Sequence, residues 1–226
     1  MIFSILSYFV GVTTTLGFWL FLHYSWSPIE RFGALDQRLL QMNYAKTLLP
    51  TIVIGAILPA ITVTAYPEAD FSKSLQFIWP VLPILLVILH RLFASLVIDS
   101  TPFDRFYRVK ADLPSIRRAV IPAAVVVAIL YNYNRISGTD PQVGPLHEVP
   151  AILRGIIGAE LGGCIWIFLL FKDLKKARMV ETSWVVLVIG YFVSICLIGS
   201  GATLLAGWLW REQTLATKRH WAAVTK

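Results

Sequence analysis

The stretch LLPTIVIGAILPAITVTA, residues 48–65, is apolar and carries no charged residue. An uncharged apolar stretch of about 18 or more residues predicts a membrane-crossing helix, because ~20 residues span a hydrocarbon core of roughly 30 Å. Five further apolar runs accompany it, at residues 3–24, 75–98, 119–133, 151–171 and 184–210. The sequence therefore predicts an all-α fold, a polytopic transmembrane bundle of about six helices that forms one integral membrane domain over residues 1–226.

Composition supports this prediction. The 226 residues are 57% hydrophobic and 15% charged, whereas soluble domains are roughly 45–50% apolar and about 25% charged. The formal charge of +7 lies mainly in loops between the apolar runs, where Lys and Arg set topology and meet anionic lipid. We therefore expect the lipid bilayer as a partner and no nucleic acid.

Cys164 and Cys196 lie inside apolar runs, which favours small buried hydrophobes over a disulfide or a metal site.

Three local features interrupt the apolar pattern. Pro59 predicts a kink in the second run, because proline removes an intrahelical hydrogen bond. Residues 136–150 (ISGTDPQVGPLHEVP) have the Gly, Pro and Asp content of a loop. The triplet Gly199-Ser200-Gly201 falls inside the sixth run and predicts local unwinding or close helix packing.

The distribution of basic residues leaves the orientation open. Most Lys and Arg residues follow the first, third and fifth runs, and the positive-inside rule would then place both termini on the lumenal side. The C-terminal tail opposes this arrangement, because residues 211–226 are also basic.

Ionisable residues within the apolar runs are the first candidates for chemistry, because each costs at least ~2.5–3.5 kcal/mol at a helix centre and normally faces the bundle interior. Glu160 and Arg91 are the deepest, and His90 adjoins Arg91. In one interpretation Glu160 and Arg91 form a structural salt bridge. In the other, Glu160 is a catalytic proton donor, with His90 and Arg91 adjusting its acidity.

Two further acids are candidate donors. The non-catalytic alternative for Asp112 is a solvated loop acid, and that for Glu212 is a pair with Arg211 at the membrane edge.

Aromatic side chains offer a binding wall: Trp79, Trp166, Tyr131 and Trp208 are candidate substrate-binding residues, since ring faces stabilise cations. Trp184 and Trp210 fit the interfacial aromatic belt instead.

Several catalytic motifs are absent from the sequence. It has no aspartate-rich magnesium box, no HExxH, no GxSxG and no P-loop. Sites that hold a diphosphate through Mg²⁺ need clustered carboxylates. We therefore expect no metal and no cofactor.

Five strings carry a family resemblance: LLPTIVIGAILPAI (48–61), FIWPVLP (77–83), Asp112 followed by LPSIRRAV, LLFKDLKKAR (169–178) and GSGATLLAGWLWREQ (199–213). Over about residues 25–213 the chain resembles the fungal membrane-bound terpene cyclases of meroterpenoid pathways, the ascofuranone and ascochlorin type. It departs from that pattern in Ser200, where proline is usual, and in Arg154, where an acid is expected.

The resemblance implies a metal-independent isomerase of fungal secondary metabolism. Such an enzyme would reside in the endoplasmic reticulum membrane and protonate a farnesyl-type chain or its epoxide. Its partners would be a hydrophobic prenylated substrate and, by association, other pathway enzymes. Two alternatives stay open at this point. One is a small-molecule transporter, with the broken sixth helix and the Glu160–Arg91 pair on its path, although no inverted repeat is visible. The other is a non-catalytic scaffold for pathway enzymes.

Overall fold

The computed structural model describes residues 20, 22, 24–25, 42–66, 68–78, 82–97, 112–137 and 149–224, leaving aside the side chains of 76–78, 83, 149–160 and 218–224. Within these ranges every regular element is helical and none is a strand. In chain order the helices are α1 (Met42–Ala65), α2 (Asp70–Ile78), α3 (Leu82–Leu96), α4 (Leu113–Ser137), α5 (Val149–Lys176), α6 (Trp184–Ile198) and α7 (Ser200–Val224). The predicted all-α class is confirmed for this part of the chain.

Helix α1 changes its geometry in the middle. It consists of an α-helical part Met42–Ile52, a π-helical turn Val53–Ile57 and a second α-helical part Leu58–Ala65. Pro59 lacks an N–H group and its ring clashes with the carbonyl four residues earlier, which is that of Gly55. Directly before Pro59 the backbone widens, and the Leu58 N–H donates to the Val53 carbonyl. Where the sequence predicted a kink near Pro59, the structure has this π turn directly before the proline.

Helices α1 and α3 pack side by side and run antiparallel. The Thr51 hydroxyl lies 3.0 Å from Nδ1 of His90, while Gly55, further along α1, faces the earlier residue Leu86. A Cβ at Gly55 would stand 2.4 Å from the Leu86 side chain. The missing side chain therefore permits the close approach of the two helices.

A tight turn connects α5 to α6. Arg178 adopts φ 56°, a left-handed conformation in which glycine is usual. The Met179 N–H donates to the Leu174 carbonyl at 2.8 Å, which closes a Schellman motif at the end of α5. Ser183 then caps α6, because its hydroxyl accepts the Val186 N–H at 3.3 Å. The short turn makes α5 and α6 antiparallel neighbours.

Helix α7 packs against α4 in the antiparallel sense. A Cβ at Gly201, near the start of α7, would stand 3.1 Å from Val127 in the second half of α4. Further along α7, Leu209 is buried with Ile116 and Val120, near the start of α4.

Helices α5 and α7 run parallel, and glycines bring them together. A Cβ at Gly163 would meet Leu204 at 2.7 Å, and a Cβ at Gly207 would meet Ile167 at 3.0 Å. The largest core of the described residues lies between α5, α6 and α7 and contains the buried residues Trp166, Ile167, Leu170, Phe171, Leu174, Met179, Val180, Leu187, Tyr191 and Leu215.

Helices α1 and α4 are long and apolar enough to cross a membrane by length and composition, and residues Ile84–Leu96 and α6 are apolar but shorter. These helices leave many large apolar side chains exposed, among them Ile54, Leu58, Ile88, Leu92, Ile129, Val185, Ile189 and Leu197. The six-span polytopic bundle remains a prediction beyond these helices.

The predicted boundaries need correction at several points. The run 184–210 is two helices separated at Gly199, and α7 continues to Val224. The run 75–98 covers the end of α2 and all of α3. The helices that contain the other described runs extend beyond the predicted boundaries, since polar helix formers continue a helix past its apolar part. Most of the run 3–24 lies outside the described residues.

Candidate functional site

Helices α5, α6 and α7 surround a cavity of about 320 Å³. Its lining is apolar apart from three hydroxyl-bearing side chains on Thr182, Ser194 and Thr203 and the phenol of Tyr191. The lining residues are Ile167, Phe168, Phe171, Thr182, Val186, Leu187, Gly190, Tyr191, Ser194, Thr203, Ala206, Gly207 and Trp210. A cavity of this size and chemistry suits a small apolar ligand.

Two aromatic pairs form walls of the cavity. Phe168 and Tyr191 meet edge to face with ring centroids 5.3 Å apart. Phe171 and Trp210 lie 4.8 Å apart in a tilted arrangement. Such pairs are worth ~0.5–1.5 kcal/mol beyond their area burial, so these walls are held in position without a ligand.

Two glycines shape the cavity in opposite ways. A Cβ at Gly207 would press against Ile167 at 3.0 Å, so this glycine lets α5 and α7 approach. A Cβ at Gly190 would meet nothing within 4 Å, and Gly190 is exposed. Gly190 therefore leaves open space at the rim of the cavity.

The break between α6 and α7 lies at one end of the cavity. Gly199 has φ 80° and ψ 162°, a conformation that essentially only glycine adopts. A Cβ there would stand 2.7 Å from the Tyr131 ring. The Gly199 carbonyl accepts bonds from both the N–H and the hydroxyl of Thr203, at 3.1 and 2.8 Å. The predicted interruption at this triplet is confirmed.

Side chains of α4 cap the end of α6. Asn132 Nδ2 donates to the Leu197 carbonyl at 3.1 Å, and Arg135 Nη1 donates to the Cys196 carbonyl at 3.1 Å. The last carbonyls of a helix have no intrahelical partner and carry partial negative charge. The Arg135 cation therefore stabilises a helix end that the break would otherwise leave uncapped.

Two of the predicted acids, Asp112 and Glu212, do not line this cavity. The Arg211 Nη1 and Glu212 Oε1 atoms are 2.6 Å apart, and both side chains are buried. The expected Arg211–Glu212 pair is thus present. Asp112 has 0% exposure at the start of α4, so its interpretation as a solvated loop acid is wrong. The antiparallel packing of α4 and α7 places Asp112 at the same end of the helix pair as Arg211 and Glu212.

The remaining predicted polar residues belong to other helices. His90 on α3 contacts the Thr51 hydroxyl and lies 5.3 Å from the Tyr44 ring. Arg91 is exposed. The side chain of Glu160 lies outside the described set, so its pairing with Arg91 stays a prediction.

None of the predicted aromatic residues with described side chains lines the cavity. Trp166 is buried in the core, Trp208 packs against the α4–α7 cluster as well as that core, and Tyr131 covers Gly199. Trp79 lies outside the described residues.

The sequence interpretation missed Phe168, Phe171 and Tyr191, and it assigned Trp210 to the interfacial belt. The usable signal was the pair Ser194 and Thr203, two hydroxyl residues flanking a predicted helix break. Ser194 lies five residues before Gly199 and Thr203 four residues after it, so each is about one helical turn from the break.

The chain is similar to three fungal proteins, each named as an FAD-dependent monooxygenase. It is 32% identical over 219 residues to verC1 of Penicillium polonicum, 28% over 233 residues to BOA8 of Botryotinia fuckeliana, and 25% over 232 residues to anuJ of Penicillium roqueforti. The matches cover 91%, 96% and 96% of this chain but 27%, 30% and 28% of the relatives. No family model and no solved structure matches.

These relatives overturn the functional expectation. The resemblance to terpene cyclases predicted an isomerase, whereas similarity across most of the chain leads to proteins named as monooxygenases. The assignment to the terpene cyclases is therefore wrong, and so is the cyclisation activity it implied. The names favour neither of the alternatives, the transporter or the scaffold. The five strings behind that resemblance are short, whereas the similarity to the proteins named as monooxygenases extends over 91–96% of the chain.

The names of the relatives imply FAD, but the described residues do not fit it. Dinucleotide sites place a glycine-rich turn between a strand and a helix, where backbone N–H groups meet the pyrophosphate. The described ranges contain no strand, and Gly199 lies between two helices with the Tyr131 ring against it. The cavity lining supplies no basic side chain for a diphosphate.

Proposed function

We propose that this chain forms the membrane-integrated helical part of an FAD-dependent monooxygenase of fungal secondary metabolism, in the endoplasmic reticulum membrane. The observation that carries the proposal is the 32% identity to the Penicillium polonicum monooxygenase over 91% of the chain. Because the chain spans 27–30% of the relatives' length, the activity of the whole protein belongs to the proposal.

Exposed apolar surface supports the membrane location. Ile54 on α1 is 50% exposed and Leu197 on α6 is 64% exposed, alongside many similar residues. Apolar surface in water costs about 25 cal/mol per Å². A helix in hydrocarbon satisfies its own backbone hydrogen bonds, so a bilayer would cover these faces without any polar penalty.

Because the described residues do not fit FAD, we assign flavin binding and substrate binding to different residues. We place the flavin on residues outside those described, either elsewhere in this protein or on a partner. The helices described here would hold an apolar substrate in the α5–α7 cavity and keep water away from it.

A segment exchange tests this proposal. The matched segment of the Penicillium polonicum relative would be deleted, or replaced by this chain, and the proteins expressed in yeast. We expect the deletion to release the flavoprotein from membranes after alkaline carbonate extraction. We expect the chimera to return to the endoplasmic reticulum fraction with its FAD content and flavin-dependent oxygen uptake restored.

This chain expressed alone provides the control. It should stay in the carbonate-extracted membrane and carry no FAD above a vector control. Stoichiometric FAD on the isolated chain would show that the flavin is misplaced in the proposal. A chimera that binds FAD but neither enters membranes nor consumes oxygen would refute the assigned role.

A further inference from the structure

We propose that the α5–α7 cavity binds an uncharged lipophilic molecule that carries a hydroxyl group, and that Ser194 and Thr203 accept a hydrogen bond from that hydroxyl. As a statement about the substrate, this rests on the proposed monooxygenase function. As a statement about binding, it rests only on the cavity.

The lining excludes charged ligands. The cavity volume of about 320 Å³ falls at the lower end of the ~300–1,000 Å³ found for small-molecule sites. All the lining residues are uncharged. A carboxylate or ammonium would lose its hydration there without an ionic partner, which is far more costly than burying a neutral group.

Two of the four hydroxyl groups in the lining, those of Ser194 and Thr203, already donate their hydrogens within the protein. Ser194 Oγ donates to the Gly190 carbonyl at 2.7 Å, and Thr203 Oγ1 donates to the Gly199 carbonyl at 2.8 Å. A serine or threonine hydroxyl has one hydrogen to donate and two lone pairs that accept. What these groups offer a ligand is therefore acceptor capacity. The ligand group that matches Ser194 and Thr203 is a donor such as an alcohol or phenol O–H. An ether or ketone oxygen has no hydrogen to donate to these two hydroxyls.

Both hydroxyls lie at the same end of the cavity. Helix α6 runs toward the break and α7 runs back from it. Ser194 lies about one turn before Gly199, and Thr203 lies about one turn after it. Trp210 lies two turns further along α7, toward the other end. The ligand would therefore place its hydroxyl near the break and its apolar body between the aromatic walls.

A photolabelling competition tests the proposal with the protein in lipid nanodiscs. An aliphatic diazirine alcohol labels the protein, and dodecanol or its methyl ether competes. The ether keeps the oxygen acceptor and removes the donor. We expect label on the cavity-lining peptides of α6 and α7, and dodecanol should compete about three- to tenfold better than the ether, the effect of one net hydrogen bond. Dodecanoate should compete worst.

Three variants separate the cavity from the lipid-facing surface. Ser194→Ala combined with Thr203→Val should abolish the preference for alcohol over ether. Gly190→Leu should reduce cavity labelling, because its side chain extends into the open space beside Gly190. Val193→Leu, at an exposed position of the same helix that does not line the cavity, should leave labelling unchanged. Each variant is first checked for a wild-type elution profile.

Two results would overturn the proposal. One is equal competition by dodecanol and its ether in the wild-type protein. The other is the same labelling in Gly190→Leu and Val193→Leu, which would place the label on the lipid-facing surface. The assay needs no flavin and no turnover. A failed segment exchange with successful labelling would therefore refute the monooxygenase role alone.

Discussion

The helix break at Gly199 makes the sharpest stability prediction, for Gly199→Ala. The backbone at φ 80°, ψ 162° costs a residue with a Cβ ~1–3 kcal/mol. The new Cβ would also stand 2.7 Å from the Tyr131 Cγ atom and 2.9 Å from Cδ2. Relief of such overlap typically costs ~1–3 kcal/mol. We expect a loss of roughly 2–6 kcal/mol in the free energy of unfolding.

Thermal unfolding in detergent or nanodiscs measures this loss. At ~2–4 °C per kcal/mol for a chain of this size, the melting temperature of Gly199→Ala should fall by at least about 4 °C. Gly190→Ala is the matched control, because its Cβ meets nothing within 4 Å and alanine is preferred in a helix by ~0.5–1 kcal/mol. It should melt at or above the wild-type temperature.

A double variant separates the two contributions. Tyr131→Ala removes the overlap with the ring atoms and leaves the backbone strain, so Gly199→Ala should cost less in that background. Equal melting temperatures for the wild type, Gly199→Ala and Gly190→Ala would refute the assignment of the helix break to this glycine.

Three further predictions concern other parts of the fold. Arg178→Gly should raise the melting temperature, because it removes a left-handed strain of ~1–2 kcal/mol at φ 56°; a lower melting temperature would contradict the Schellman turn. Gly201→Leu should reduce the folded fraction on size-exclusion chromatography, because even a Cβ would lie 3.1 Å from Val127; unchanged elution would count against the α4–α7 packing. Glu212→Gln should destabilise the protein by ~3–5 kcal/mol, since it removes the buried carboxylate charge that lies 2.6 Å from Arg211 Nη1, and wild-type expression with wild-type thermal stability would show that the pair contributes little.

Part of the fold could be predicted from the sequence because its causes are local. The all-α class follows from long uncharged stretches such as residues 48–65, since apolar length alone selects a helix in a membrane. The interruption at Gly199 and the disturbance near Pro59 follow from the backbone limits of those residues. The Arg211–Glu212 pair was named from the sequence as an alternative, but adjacent helical residues do not face each other, so the 2.6 Å contact is a result of the tertiary structure.

The site depended on tertiary structure. Which aromatic residues line the cavity is decided by the parallel packing of α5 and α7 and by the return of α6 at the Arg178 turn. The sequence favoured Trp166 for a binding wall and Trp210 for the interfacial belt, yet Trp210 lines the cavity and Trp166 is buried in the core. The burial of Asp112 likewise comes from its position at the start of α4, where that helix meets α7. Apolar residues of a membrane helix pack about equally well against lipid and protein. The sequence therefore determines that such helices form, and only the packing of helix against helix decides which of their faces enclose the cavity.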